Sequence, residues 1–103
     1  MAVVAITEIK GNPTELLAKY DKVNEQLMAR GEPAPGLLVH TCIVLDDGIR
    51  IANVFESERE ALESFRNEQF QTALRNAGFT PIEPTIYQAH NHINFAVMPG
   101  AVR

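Results

Sequence analysis

Apolar and β-branched residues dominate the opening run Ala2 to Ile9, and Gly11 breaks it, so a first strand is expected there. Asn12-Pro13-Thr14-Glu15 then supplies a cap residue, a proline at the first helical position and an acid two residues after it. Asn12 can accept an orphan backbone donor and Glu15 can answer the cap's own N–H, a strong helix start. Leu16, Tyr20, Val23 and Leu27 recur at spacings of four, three and four, which marks one buried stripe flanked by Leu17, Asn24 and Met28. Gly31 ends this helix, and Pro33-Ala34-Pro35-Gly36 makes a short rigid connection.

Leu37 to Leu45 reads as a second strand and Ile49 to Phe55 as a third, with Asp47-Gly48 as the tight turn between them. Ser57 and Glu60 repeat the capping-box pattern. Ala61, Leu62, Phe65, Gln69, Ala73 and Leu74 carry a second amphipathic helix, Glu58 to Asn76, up to Gly78. Pro81 and Pro84 bracket a connector, Thr85 to Ile93 forms a fourth strand, and residues 94–103 are a tail containing Phe95 and Met98. The resulting order predicts an α+β, ferredoxin-like β-α-β-β-α-β domain, a four-stranded antiparallel sheet with both helices on one face. The second strand is nonetheless apolar in both of its rows: Leu37, Val39, Thr41, Ile43 and Leu45, and Leu38, His40, Cys42 and Val44. A sheet with helices on one side should be wetter on the other. A second copy of the chain is the economical cover, so a homodimer is expected.

Length and composition narrow the function classes. The 103 residues suffice for a single domain, with 46% apolar and 21% charged side chains, ordinary for a globular chain. The net charge of -4 and the scattered basic residues argue against nucleic acid as a partner. The single cysteine, Cys42, cannot form an intrachain disulfide, which favours a reducing compartment. The opening lacks a basic leader and a long apolar run, so the protein is read as cytoplasmic, with no membrane as partner.

The pattern resembles the dimeric alpha-beta barrel superfamily, especially its small antibiotic-biosynthesis-monooxygenase-like branch. The resemblance spans Ala2 to about Ile93, and its most recognisable piece is Asn53-Val54-Phe55-Glu56-Ser57-Glu58-Arg59-Glu60-Ala61-Leu62-Glu63-Ser64-Phe65, a strand ending in an aromatic residue before a helix that begins Glu-Ser. It implies two ferredoxin-like sheets packed face to face, with a small pocket in each subunit. The activities it implies include cofactor-independent oxygenation of polycyclic phenols, haem degradation, lactone isomerisation and dehydration. This chain has no Trp, which many of the quinone-forming and haem-degrading relatives carry, and no His in its second helix to act as an axial haem ligand. Haem degradation therefore fits poorly, and no cofactor is expected.

Candidate chemistry centres on two polar residues among apolar ones. In the hairpin as drawn, Cys42 pairs with Asn53 and His40 with Phe55, with Leu38, Val44 and Ile51 on the same face. The opposite row, Leu37, Val39, Thr41, Ile43, Ala52 and Val54, is more uniformly apolar and is expected to meet the helices. That leaves the His40/Asn53 face to the dimer side and the pocket. An imidazole titrates near neutrality, so His40 is the expected general acid or base, and Asn53 the donor that holds a carbonyl or developing enolate oxygen. Phe55, Ile51, Tyr87 and His90 are the expected substrate-binding residues. The bland alternative makes His40 and Asn53 a hydrogen-bonded interface pair.

His90 and His92 stand two apart and could share a metal, but a third ligand is wanting and no metal site is expected. Cys42 reads as a small core residue, Arg50 as solvated, and Glu58, Glu60 and Glu63 as an acidic helical surface. Tyr20 and Tyr87 could orient a phenolic ligand, with packing and an exposed hydroxyl the stronger reading for Tyr20. The expected activity is a cofactor-independent monooxygenase or isomerase acting on a phenolic or keto-enol compound. The rival readings are a dimeric protein that binds a small hydrophobic or aromatic ligand without turnover, and a structural dimer with a filled interior.

Overall fold

A computed structural model describes residues 1–29, 31, 33–80 and 83–93. The tail 94–103, with Phe95 and Met98, lies outside the described residues. The chain forms strand β1 (Val3–Lys10), helix α1 (Pro13–Met28), strands β2 (Leu37–Leu45) and β3 (Gly48–Phe55), helices α2 (Glu58–Arg66) and α3 (Glu68–Asn76), and strand β4 (Thr85–Gln88). The sheet is antiparallel in the order β2-β3-β1-β4, the ferredoxin-like α+β arrangement expected from the element order.

Local chemistry explains the helix starts. Asn12 accepts from the backbone N–H of Glu15 at 3.1 Å, with Pro13 at the first helical position. Ser57 accepts from the N–H of Glu60 at 3.3 Å and donates its hydroxyl to the Glu60 carboxylate at 3.0 Å. The single second helix expected over Glu58 to Asn76 is instead two helices. Asn67 leaves the helical region (φ −59°, ψ 130°) and its side chain caps a new start by accepting from the N–H of Phe70 at 3.0 Å. A short amide that competes for backbone donors interrupts a helix in this way.

The hairpin also differs from the expected one. Leu45 pairs with Gly48, so the two-residue turn is Asp46-Asp47, and neither aspartate has a positive φ. Gly48 serves another purpose: a Cβ there would lie 2.1 Å from the backbone oxygen of Ile9, so only glycine lets β3 begin this close to β1. The register moves accordingly. His40 stands opposite Asn53 and Cys42 opposite Ile51, rather than opposite Phe55 and Asn53. A bulge at Leu38 separates the Leu37 and Val39 pairings.

The core lies between sheet and helices. Val3, Ala5 and Phe55 pack with Ala61 of α2, while Leu16 and Val23 of α1, Ile49 and Ala73 of α3 are also buried. Val3 stands opposite Phe55 and Ile9 opposite Ile49 across the β1–β3 ladder, so these rows define the helix-facing side. His40, Cys42 and Val44, opposite Asn53, Ile51 and Ile49, belong to the same side. The expected assignment of faces is therefore reversed: the His40/Asn53 row faces the helices, and Val39, Thr41, Ile43, Ala52 and Val54 face outward. The reason is legible on β1 and β3, where Glu8, Lys10 and Arg50 all fall in the outward row and the inward row carries no charge. Uniformity of β2 alone was a poor guide, because the outward face is apolar too. β4 ends at Gln88, short of the expected Ile93.

Candidate active site

Tyr20 lies in the apolar stripe of α1, between buried Leu16 and buried Val23, and that stripe turns it toward the sheet. A hydroxyl placed there needs a polar partner. It finds His40 on β2: the Tyr20 hydroxyl is 2.5 Å from Nε2 of His40, with the two rings stacked at 5.8 Å and 20°. The other ring nitrogen, Nδ1, lies 2.6 Å from Oδ1 of Asn53 on β3. A helix and two neighbouring strands thus supply one linear chain of hydrogen bonds.

The chain has a direction. Oδ1 of Asn53 can only accept, so Nδ1 carries a proton and donates it. In the neutral ring Nε2 is then the acceptor, and the Tyr20 O–H donates to it. Asn53 therefore acts as the group that orients the imidazole and selects its tautomer, as the buried carboxylate does in a catalytic triad. The oxyanion-donor role expected for Asn53 belongs to its Nδ2 amide, the group's donor end, which the contact from His40 to Oδ1 does not use. Burial, followed by the charges of Cys42 and Asp21, pushes the Tyr20 phenol above its ordinary value and keeps it a proton donor. Burial and then Asp21 likewise push the Cys42 thiol up, which suits an inert core residue better than a nucleophile.

The other expected site residues fall in different places. Ile51, half-buried opposite Cys42, lies on the same side of the sheet as His40. Phe55 shares that side but is 3% exposed and packed into the core with Val3, Ala5 and Ala61, so it supports the wall from beneath. Tyr87 stands opposite Val4 in the outward row and is 54% exposed, across the sheet from His40. It cannot share a ligand contact with His40 within one subunit. His90 follows the end of β4 and is exposed, with His92 half-buried beyond it, so strand alternation does not put them on one face. Among the described residues, no three potential metal ligands come together.

Tyr20 is the member whose tie to His40 sequence reasoning missed. The signal was its position in the Leu16-Tyr20-Val23-Leu27 stripe, which had already turned it inward. Two grooves of about 480 Å³ each lie elsewhere. One runs between α1 and α3, lined by Gln26, Leu27, Glu68, Gln69, Thr72 and Ala73, and the other lies against the Pro33–Leu38 connection and Glu56.

No family model matches the chain, and no curated protein matches it. Solved structures do. A Caulobacter crescentus protein assigned to the antibiotic biosynthesis monooxygenases superposes with a TM-score of 0.61 at 19% identity, covering 84% of this chain and 85% of that one. A Mycobacterium tuberculosis protein superposes at 0.66 with 10% identity, covering 91% of this chain and 100% of its own. SnoaB, a cofactor-independent oxygenase of Streptomyces nogalater, superposes at 0.52 with 20% identity over 89% of this chain and 93% of that one. The chain carries the fold of the antibiotic-biosynthesis-monooxygenase-like proteins, at identities that establish the architecture and leave the chemistry to its own residues.

Proposed function

We propose that this protein is a small-molecule enzyme that removes a proton from a phenolic or keto-enol compound at His40, without a metal or redox cofactor. The observation that carries the reading is the 2.6 Å contact from Nδ1 of His40 to Asn53 Oδ1, which makes Nε2 the basic nitrogen and turns it toward Tyr20 of α1. A conjugated substrate can hold the resulting charge in its own π-system. Its anion can then take a proton back at another atom, completing an isomerisation. Alternatively it can reduce dioxygen: a C–O bond forms, the peroxide O–O bond breaks, and water leaves behind a new carbonyl. The fold shared with a cofactor-independent oxygenase supports the second course as a class of reaction.

The protein is proposed to work as a homodimer through the outward sheet face. Val39 and Ile43 are each 37% exposed there, Tyr87 is 54% exposed, and the helices pack on the other side. Such a face is an unusual thing to leave in water.

A second reading, ligand binding without turnover, is favoured by one observation: Tyr20 already occupies His40 Nε2. Incubating the protein with a panel of polyphenols and β-dicarbonyl compounds under air, with mass detection, separates the two. A product that has gained one oxygen and lost two hydrogens, or an isomer of unchanged mass, supports the enzyme. Compounds that bind and return unaltered across the panel support the binder.

A further inference from the structure

The lone pair of His40 Nε2 is not open to a substrate. The Tyr20 hydroxyl sits on it at 2.5 Å, and the two rings lie near-parallel at 20° with their centroids 5.8 Å apart. Displacing that ring would mean turning a side chain whose helix is anchored one turn away on either side by Leu16 and Val23, each 7% exposed. A phenol hydroxyl, however, has one hydrogen to give and oxygen lone pairs with which to accept. It can receive a proton as it gives one away.

We propose that Tyr20 is the group that meets the substrate, as the outer member of a Tyr20–His40–Asn53 proton relay. The inference rests on the proton-abstraction reading above and specifies where the abstraction occurs. The acidic O–H or C–H bond of the substrate breaks and its proton joins the Tyr20 oxygen. The original Tyr20 O–H bond breaks in the same passage, and its proton joins His40 Nε2. The substrate is left as an anion and His40 as an imidazolium whose Nδ1–H stays on Asn53 Oδ1. Tyr20 remains a neutral phenol before and after the transfer. After the Tyr20 and His40 protons have exchanged with water, return of a solvent-derived proton along the same chain restores the resting protein.

The relay selects a substrate class. The reacting hydrogen must be acidic enough to pass to a phenol–imidazole pair, which suits a hydroxyaromatic or an enolisable ketone.

The test reads hydrogen–deuterium exchange at C1 of 2-tetralone in heavy water, together with the nitrogen shifts of the His40 ring. The wild-type protein is expected to accelerate exchange above buffer. Y20F and H40A should each lose roughly a hundredfold or more of that acceleration, the scale of a positioned proton transfer. The double variant should be no slower than either single one. In the unliganded wild-type protein, the neutral His40 ring should carry its proton on Nδ1. If Y20F exchanges as fast as wild type or faster while H40A is inactive, Tyr20 is a plug and the relay is overturned alone. A neutral His40 protonated on Nε2 overturns the relay without reference to turnover. If the wild-type protein exchanges neither 2-tetralone nor 2-naphthol ring hydrogens above buffer, the proton-abstraction reading falls and the relay with it.

Discussion

Tyr20 shows how one hydroxyl changes the meaning of an otherwise ordinary apolar stripe. Its neighbours Leu16 and Val23 are core residues, and its ring is partly buried with them, yet the oxygen is tied to His40. Burial, with the charges of Cys42 and Asp21, raises the phenol above its ordinary value of about 10, so stability depends on pH there. Below that value both folded and unfolded chains keep the proton. Between it and the raised folded value only the unfolded chain loses it, so stability falls as pH rises through this window. The urea midpoint of the wild-type protein should drop more steeply than that of Y20F as pH rises above about 10. Equal slopes would show that Tyr20 is not shifted. Asn53 makes a separate prediction. N53A frees the imidazole to choose its tautomer, so turnover should fall about tenfold or more with little change in KM, because orientation and not ground-state binding is lost. At this scale the sequence exposed His40 and Asn53 as polar exceptions in apolar strands, but not their pairing. A one-residue displacement of the hairpin turn, which shifts the register by two, separates the expected His40–Phe55 pair from the observed His40–Asn53 pair.

Elements were more legible than contacts, because caps and periodicity act within a few residues. Asn12 and Ser57 cap as their neighbours require, and the first three strands fall close to the expected limits, while β4 stops at Gln88. Two departures came from interactions that reach beyond the element. Asn67 restarts a helix, and N67A should cost about 1 kcal/mol in denaturant unfolding through loss of that cap. A gain in stability would mean instead that Glu58 to Asn76 prefers to be one helix, where alanine is favoured. Gly48 answers to a different strand. Its missing Cβ would meet the Ile9 backbone oxygen, so G48A should destabilise by at least about 1–3 kcal/mol, as overpacking does when neither partner can move. A neutral effect would show that β3 can shift away from β1.

For the whole molecule, the two faces of the sheet divide the work. Chemistry is proposed on the helix side and assembly on the outward side, the reverse of what the uniformity of β2 suggested. Sequence did contain the answer, in the alternation that sends Glu8, Lys10 and Arg50 outward together. Arg50 and Glu8 pair at 2.9 Å on that rim, so the outward face is apolar at its centre and charged at one end. I43D should therefore reduce the sedimentation-equilibrium mass from near twice 11.4 kDa to that of one chain, because an unpaired charge would be buried in the assembly. V44D, in the helix-side row and 61% exposed, should leave the assembly intact. The reverse outcome would put the interface on the other face. The most direct trial of the central claim is the rate at which wild type and H40A convert the same phenolic or keto-enol compound, compared at equal concentrations of folded protein. The wild type is expected to convert it, and H40A to lose roughly a hundredfold or more of that rate. An H40A protein that turns over as fast as wild type would contradict the claim.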